Sequence, residues 1–329
     1  MTAAPQAARR RERVAAPAPE ARPSPRRKRP FLSRLREDYP LLLMCAPVVI
    51  LLAVFMYAPM LGNVIAWMDY SPYVGILGSD FVGWWNFQRV VADPRFWHAV
   101  TNTLIITGFQ LLFFFPVPIA MAILLNSVLT RRVRTAIQSI VYLPHFFSWV
   151  IVVSIFQQIL GGAGLVNQFL RSRGLEAVEV MTNPDTFLLL ITSQQVWKDA
   201  GWGMIVFLAA LSTVDRSQYE AAAVDGAVAW RRIWHVTLPA LRPVIILLLI
   251  LRLGDALTVG FEQLILQRDA VGAGAAEVLD TFVYYSGIVY GDWSYAAAAG
   301  LIKGTVSLIL VLGANKIAHV FGEAGVYQR

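Results

Sequence analysis

Six apolar stretches alternate with polar segments along the chain, each long enough for a helix of about 20 residues to cross a hydrocarbon layer of about 30 Å. They fall near residues 41–62, 99–126, 136–160, 187–211, 243–265 and 294–320. The pattern predicts an all-α membrane protein with six transmembrane helices. Pro116 and Pro118 lie inside the second stretch and predict a kink, because a proline removes one helical hydrogen bond and crowds the preceding turn. The sixth opens on "SYAAAAGLIKGT", where Gly300 and Gly304 are four apart and follow four alanines, a face small enough to pack closely on another helix.

Composition points the same way. Hydrophobic residues make up 57% of the 329 and charged residues 15%, against roughly 25% charged in a soluble domain. That leaves too little polar surface to clothe a soluble globule. The single cysteine, Cys45, lies in an apolar run and has no partner for an internal disulfide.

The net charge of +7 is concentrated at one end: residues 1–38 hold eleven Arg or Lys against four Asp or Glu. This Ala/Pro/Arg-rich stretch has too little apolar surface to fold and is expected to be a disordered basic cytoplasmic arm that orients the first span, rather than a nucleic-acid-binding arm. "RRKRPFL" from Arg26 to Leu32 resembles a twin-arginine export signal. However, the apolar run after it is long, ends without a small-residue cleavage site and is the first of several. With the N-terminus inside, inner segments hold twenty basic residues and outer segments five, namely Arg89, Arg95, Arg171, Arg173 and Arg268. This positive-inside bias places both termini and the 212–242 segment in the cytoplasm. The outer segment 63–98 is rich in aromatics, Gly and Asp. It suits either interfacial anchoring or docking of an external partner, and so do 161–186 and 266–292.

The cytoplasmic segment between the fourth and fifth stretches is the most informative. Asp215 stands three residues before Gln218, a helix-starting arrangement, and predicts a short helix from about Arg216 to Asp225. Gly226 can take the left-handed conformation that ends a helix and turns the chain. A second helix is expected from Ala227 to about Val236, ending before Pro239, with Trp230, Ile233 and Trp234 beside Arg231 and Arg232. Two short helices at an angle would form a knob that another protein can grip.

The spacing here is specific. Glu220-Ala221-Ala222, three residues, Gly226, nine residues, then Val236-Thr237-Leu238-Pro239 resembles the signature loop of bacterial ABC-importer permeases, with Val236 where the pattern has Ile. The Asp225–Ala227 "DGA" resembles the carbohydrate branch. "SPYVGILGSDFVGWWNF", "YLPHFFSWVIVVSIF", "QVWKDAGWG" and "GFEQLIL" look like permeases that import oligosaccharides released from polysaccharides such as alginate or pectin, and the likeness covers roughly residues 38–325. The resemblance implies a type I importer permease core of five helices plus one N-terminal helix, in a bacterial cytoplasmic membrane. It also implies that the 212–241 loop couples to a separate ATPase through Glu220, Ala221, Ala222, Asp225, Gly226, Val236, Leu238 and Pro239. The implied partners are two copies of an ATP-binding subunit, a second and different permease chain, an extracytoplasmic solute-binding protein and an oligosaccharide. Transport would proceed by alternating access, with ATP and Mg held by the partner ATPase.

No catalytic motif competes with this reading. The chain has no Gly-rich phosphate loop of the required order, no H-E-x-x-H, no G-x-S-x-G and no Cys/His cluster. No metal, cofactor or enzymatic activity of its own is therefore expected. Polar residues inside spans are costly in lipid and mark candidate path positions. In the fourth stretch these are Gln195, Lys198 and Asp199, beside Gln194, with Trp197 and Trp202 adjacent; in the fifth they are Arg252, Asp255 and Glu262; the sixth holds Lys303. The alternative role for these groups is interhelical pairing, for instance of Arg252 with Asp255 or Glu262. A six-span secondary carrier or channel would need a filter loop or paired broken helices. An intramembrane protease would need a Ser-containing Gly motif with a membrane His. The sequence shows neither, and neither explains the loop.

Overall fold

The computed structural model describes residues 39–128 and 130–320. The basic arm at 1–38 and Arg329 lie outside the described residues. Contacts divide the chain into two units, up to Met60 and from Leu61 onward. The first contains α1 (Tyr39–Leu52), which continues through a π-helical turn at Ala53–Tyr57. Its residues are apolar on every face, as suits a helix in lipid.

The second unit opens with a 3₁₀ turn, Gly62–Trp67, and a minimal antiparallel ladder pairing Met68 with Phe81 and Asp69 with Asp80. α2 (Trp85–Ala92) is pinned to it by buried Asn86, whose Nδ2 donates to the carbonyls of Ala66 (3.1 Å) and Met68 (2.9 Å). α3 (Pro94–Phe113) starts before the expected position 99. The Asp93 side chain accepts from the Arg95 N–H and Pro94 sits in the first turn, so capping rather than hydropathy sets the start. A turn at Phe114–Phe115 leads into α4 (Pro116–Asn126), the kink that the two prolines predict.

The third apolar stretch is not one helix, as the pattern over 136–160 suggests. α5 (Arg131–Tyr142) passes into a 3₁₀ turn at Leu143–Phe146, and the chain leaves helical geometry before α6 (Trp149–Leu160), which α7 (Leu165–Ser172) follows. Pro144 cannot donate within the helix, and Ser148, extended at ψ 156°, caps the new helix by accepting from the Ile151 N–H. α8 (Phe187–Ser212) is unbroken over 26 residues.

α9 (Arg216–Val224) and α10 (Ala229–Arg232) follow, and a π turn at Ile233–Thr237 joins α10 to α11 (Leu238–Gly254). The expected stop before Pro239 and restart near 243 are corrected here. The Leu238 N–H donates to the Ile233 carbonyl, a widened turn, so the missing N–H of Pro239 interrupts no α-helical ladder. At its far end α11 stops at Gly254, not at 265. Residues 255–260 are non-helical, and α12 (Phe261–Ile265) restarts after Gly260. α13 (Leu279–Tyr284) and α14 (Trp293–Val320) are the last α-helices among the described residues.

Among the described residues, five helical runs are long and apolar enough to cross a membrane: Tyr39–Trp67, Pro94–Asn126, Trp149–Ser172, Ala229–Gly254 and Trp293–Ile317. α8 has comparable length but carries Gln194, Gln195, Lys198 and Asp199 at mid-helix. It is nonetheless central to the packing. Met204, Phe207, Leu208 and Leu211 are buried with Ala122 and Leu125 of α4 and Leu241 of α11. Gly201 lets α8 approach α5, since a Cβ there would collide with the Val141 carbonyl. In α14 the small residues Ser294, Ala296, Ala298, Ala299 and Ala314 are buried. The expected Gly300/Gly304 packing face instead meets open space at both glycines among the described residues.

Candidate functional site

The 212–241 segment forms an exposed elbow. Asp215 starts α9 by accepting from the Ser217 N–H at 2.9 Å. This hydrogen bond holds its carboxyl below the usual carboxylate range. Glu220 lies on the exposed side, 3.3 Å from Arg216 one turn earlier. The helix ends on Gly226 at φ +74°. Two backbone bonds close that end: Ala227 N–H to the Ala222 carbonyl (2.9 Å) and Gly226 N–H to the Ala223 carbonyl (3.0 Å). This is the six-to-one and five-to-two closure of a left-handed C-terminal cap. The Glu-Ala-Ala and Gly positions of the loop are therefore parts of one turn. Small side chains surround the closing carbonyls, and only glycine adopts the final φ at little cost.

Beyond the turn, Val224, Val228, Trp230 and Trp234 are exposed, and the two indole rings meet edge to face at 5.7 Å. Val236 and Leu238 are half-buried and Pro239 is exposed on the continuous helix. The Tyr219 hydroxyl reaches the buried Thr237 hydroxyl at 3.1 Å and ties α9 to the base of α11. Tyr219 carried no sequence signal, because its partner lies eighteen residues away.

Of the candidate path residues, the structure brings four together. Asp199 and Trp202 of α8, Arg252 of α11 and Asp255 just past its end line one cavity of about 410 Å³ with Phe114, Phe115 and His145. Arg252 and Asp255 make no ion pair with each other or with Glu262 among the described residues; instead the Arg252 guanidinium lies 5.1 Å above the Phe114 ring. His145 is the cavity residue that sequence reasoning missed. Its Nδ1 is 2.9 Å from Asp199 Oδ1, and its ring stacks on Trp202 at 4.6 Å and 6°. The available signal was its position directly after Pro144, where the helix breaks.

The other candidates are engaged elsewhere. Buried Lys198 donates to the carbonyls of His145 (2.6 Å) and Phe147 (2.7 Å), closing the break between α5 and α6. Trp197 packs on Phe147 and Phe156. Gln195 is half-buried away from the cavity lining, and Glu262 is exposed on α12. Lys303 pairs with Asp280. Gln194 belongs to a fully buried amide cluster: its Nε2 donates to Gln267 Oε1 (3.0 Å), and its Oε1 accepts from Gln263 (2.8 Å) and Gln267 (3.0 Å).

The 63–98 segment meets the 266–292 segment through Arg89–Asp292 at 2.7 Å and meets α14 through a hydrogen bond from the Tyr295 hydroxyl to Asp93 at 2.7 Å, while Arg268 pairs with Glu277 within 266–292. Burial alone would raise the Asp93 carboxyl; bonds from Arg95 and Tyr295 outweigh it and lower it to about 2. Among the described residues no group of three or more His, Cys, Asp or Glu is placed to hold a metal ion.

Apolar helices around a cavity that holds Asp199, Arg252 and Asp255, with an exposed helical elbow on the same helix as one cavity wall, suit a membrane permease. The chain belongs to the family of binding-protein-dependent transport system inner membrane components, whose model matches residues 114–319. It is therefore a multi-pass inner-membrane permease of an ABC importer and not an enzyme; in such importers the ATPase is a separate subunit that works with a second permease and a solute-binding protein.

Its similarity to particular relatives is extensive. It is 44% identical to the polygalacturonan/rhamnogalacturonan transport system permease protein YteP of Bacillus subtilis, over 92% of this chain and 94% of that protein. It is 43% identical to LplB of the same organism, over 90% and 94%. A chain of the bacterial alginate ABC transporter, crystallised with an alginate pentasaccharide-bound periplasmic protein, superposes with a TM-score of 0.82 at 36% identity, over 90% of this chain and 99% of that one.

Proposed function

We propose that this permease forms half of the translocation path of an ATP-driven importer of oligosaccharides cut from acidic plant or algal polysaccharides. Two copies of an ATP-binding subunit, a second and different permease chain and an extracytoplasmic binding protein complete the complex. α8 counts as a sixth span, and both termini lie in the cytoplasm. Asp199, Trp202, Arg252 and Asp255 line the path. The ATPase holds ATP and Mg and grips Glu220, Ala221, Ala222, Asp225, Gly226, Val236, Leu238 and Pro239. The sugar class rests on the names of the relatives and on the cavity: a broad indole face suits the C–H faces of sugar rings, and Arg252 suits carboxylates.

The observation that carries the reading is mechanical. The helical run Ala229–Gly254 is continuous, so at ~1.5 Å per residue it spans roughly 40 Å. It bears the exposed Trp230 and Trp234 at one end and cavity-lining Leu248, Leu251 and Arg252 toward the other. A push on the elbow therefore moves the cavity wall as one body. ATP and the loaded binding protein shift the inward–outward equilibrium only through contacts that differ between the two states. The test is reconstitution of the full complex in liposomes with labelled trigalacturonate: uptake should require ATP and the binding protein. Uptake by this permease without nucleotide would favour a secondary carrier instead.

A further inference from the structure

Three residues of α8 hold one residue of the α5–α6 break. The break withdraws the usual N–H partners of the His145 and Phe147 carbonyls, and the Lys198 ammonium replaces them at 2.6 and 2.7 Å. The adjacent Asp199 takes the His145 ring at Nδ1, 2.9 Å away. Trp202, one turn further along the same helix, covers a ring face at 4.6 Å with the planes within 6° of parallel. Backbone, ring edge and ring face are thus all fixed by the same helix. A histidine needed only to fill space would not require three restraints; a hydrogen-bonding group that must be presented in one orientation does.

The chemistry of the remaining edge follows. A carboxylate only accepts, so Nδ1 carries the hydrogen toward Asp199, and in the tautomer this bond selects Nε2 is left with a lone pair. Nε2 has no hydrogen-bond partner among the described residues, and His145 is among the residues lining the 410 Å³ cavity. We infer that His145 is a specificity-determining residue of the path: Nε2 accepts a hydrogen bond from a sugar hydroxyl while the ring lies against the exposed part of Trp202, and Lys198 is the positioning residue that holds the break in the required shape. This rests on the permease reading above and adds to it the contact that distinguishes hydroxylated sugar rings from other solutes.

The test uses the reconstituted complex, with labelled trigalacturonate as the probe. His145→Asn keeps a donor toward Asp199 but removes the Nε2-side atom; His145→Gln keeps a polar atom near Nε2 and gives up the Asp199 contact. The Asn variant should raise the sugar concentration for half-maximal uptake about tenfold, the size of one lost hydrogen bond, with complex yield unchanged. The Gln variant should stay within about threefold of the parent. Equal behaviour of the two variants overturns the inference.

Should either variant fail to assemble, the parent complex decides. Diethyl pyrocarbonate modifies accessible imidazole nitrogens, and peptide mass spectrometry reads His145 separately from His98 and His235. Trigalacturonate should slow modification of His145 severalfold and leave the other two unchanged. No protection, or no modification of His145 even without sugar, removes it from the path. ATP-driven uptake by the parent complex tests the permease reading independently of either result.

Discussion

The hydroxyls of Tyr219 and Thr237 meet at 3.1 Å across the elbow, one on α9 and the other buried at the base of α11. This bond ties the two arms of the elbow to each other. Tyr219→Phe removes it with almost no change in shape and leaves the Thr237 hydroxyl only its 3.4 Å bond to the Arg232 carbonyl, a loss of about 0.5–1.5 kcal/mol. The expected outcome is a complex that assembles and hydrolyses ATP but imports severalfold less sugar per ATP. An unchanged ratio of uptake to hydrolysis would show that the bond has no part in force transfer.

Gly226 and Glu220 separate folding from coupling. Gly226→Pro forces φ to about −65°, where the chain needs +74°, and deletes the N–H that closes α9 on Ala223. Transport should be lost while the protein still inserts and pairs with its partner permease. Gly226→Ala should be milder, about 1–2 kcal/mol for a left-handed residue with a Cβ. Glu220 is exposed, and its pair with Arg216 is worth at most about 0.5 kcal/mol. If Glu220→Lys abolishes uptake with an unchanged melting temperature, the loss arises at a partner; normal uptake in this variant would count against coupling at this surface.

The elbow was legible in the sequence because its geometry is local: cap, short helix and left-handed glycine lie within a dozen residues. Helix existence was legible for a similar reason, since apolar length is a property of a single stretch. Several expected helices were nevertheless wrong in extent. Hydropathy does not register Pro144 and Ser148, which break the third stretch, nor the exit from the helix between Gly254 and Gly260. The cavity was half legible. Asp199, Trp202, Arg252 and Asp255 stood out as polar or aromatic residues among apolar ones. His145 did not, because its role depends on Asp199, fifty-four residues later. Lys198 stood out for the same reason as Asp199, but its ammonium is committed to backbone carbonyls.

Asp93 gives the fold an acid-sensitive joint. Its carboxyl lies at about 2 against an ordinary 3.8. A depressed carboxylate contributes stability that is complete above the unfolded value and is lost as pH falls through the folded one. The stabilisation should therefore be intact above about pH 4 and fade between about pH 4 and 2. Thermal unfolding of the detergent-purified complex across that window should show a downward slope that Asp93→Asn reduces. Equal slopes for the parent and the variant would mean that Arg95 and Tyr295 do not favour the ionised form in solution.

The buried amides of Gln194, Gln263 and Gln267 give a last, energetic prediction. They join α8 to the 261–267 segment through mutual bonds of 2.8–3.0 Å, and Gln263 also donates to the Ile191 carbonyl at 2.8 Å. All three are 0–2% exposed, so each amide depends on the others for partners. Gln194→Leu removes the shared hub and strands donors on both remaining glutamines, at about 1–3 kcal/mol for each stranded group. Gln267→Leu removes only its own side of the cluster and should cost less. Because the groups act as a network, the double change Gln194→Leu with Gln267→Leu should destabilise by less than the sum of the single changes, by about 1 kcal/mol or more. Thermal melts of the four proteins complete the cycle. Strict additivity would mean that the amides act independently and that the tie between α8 and the 261–267 segment is made by its apolar neighbours Ile191 and Leu264.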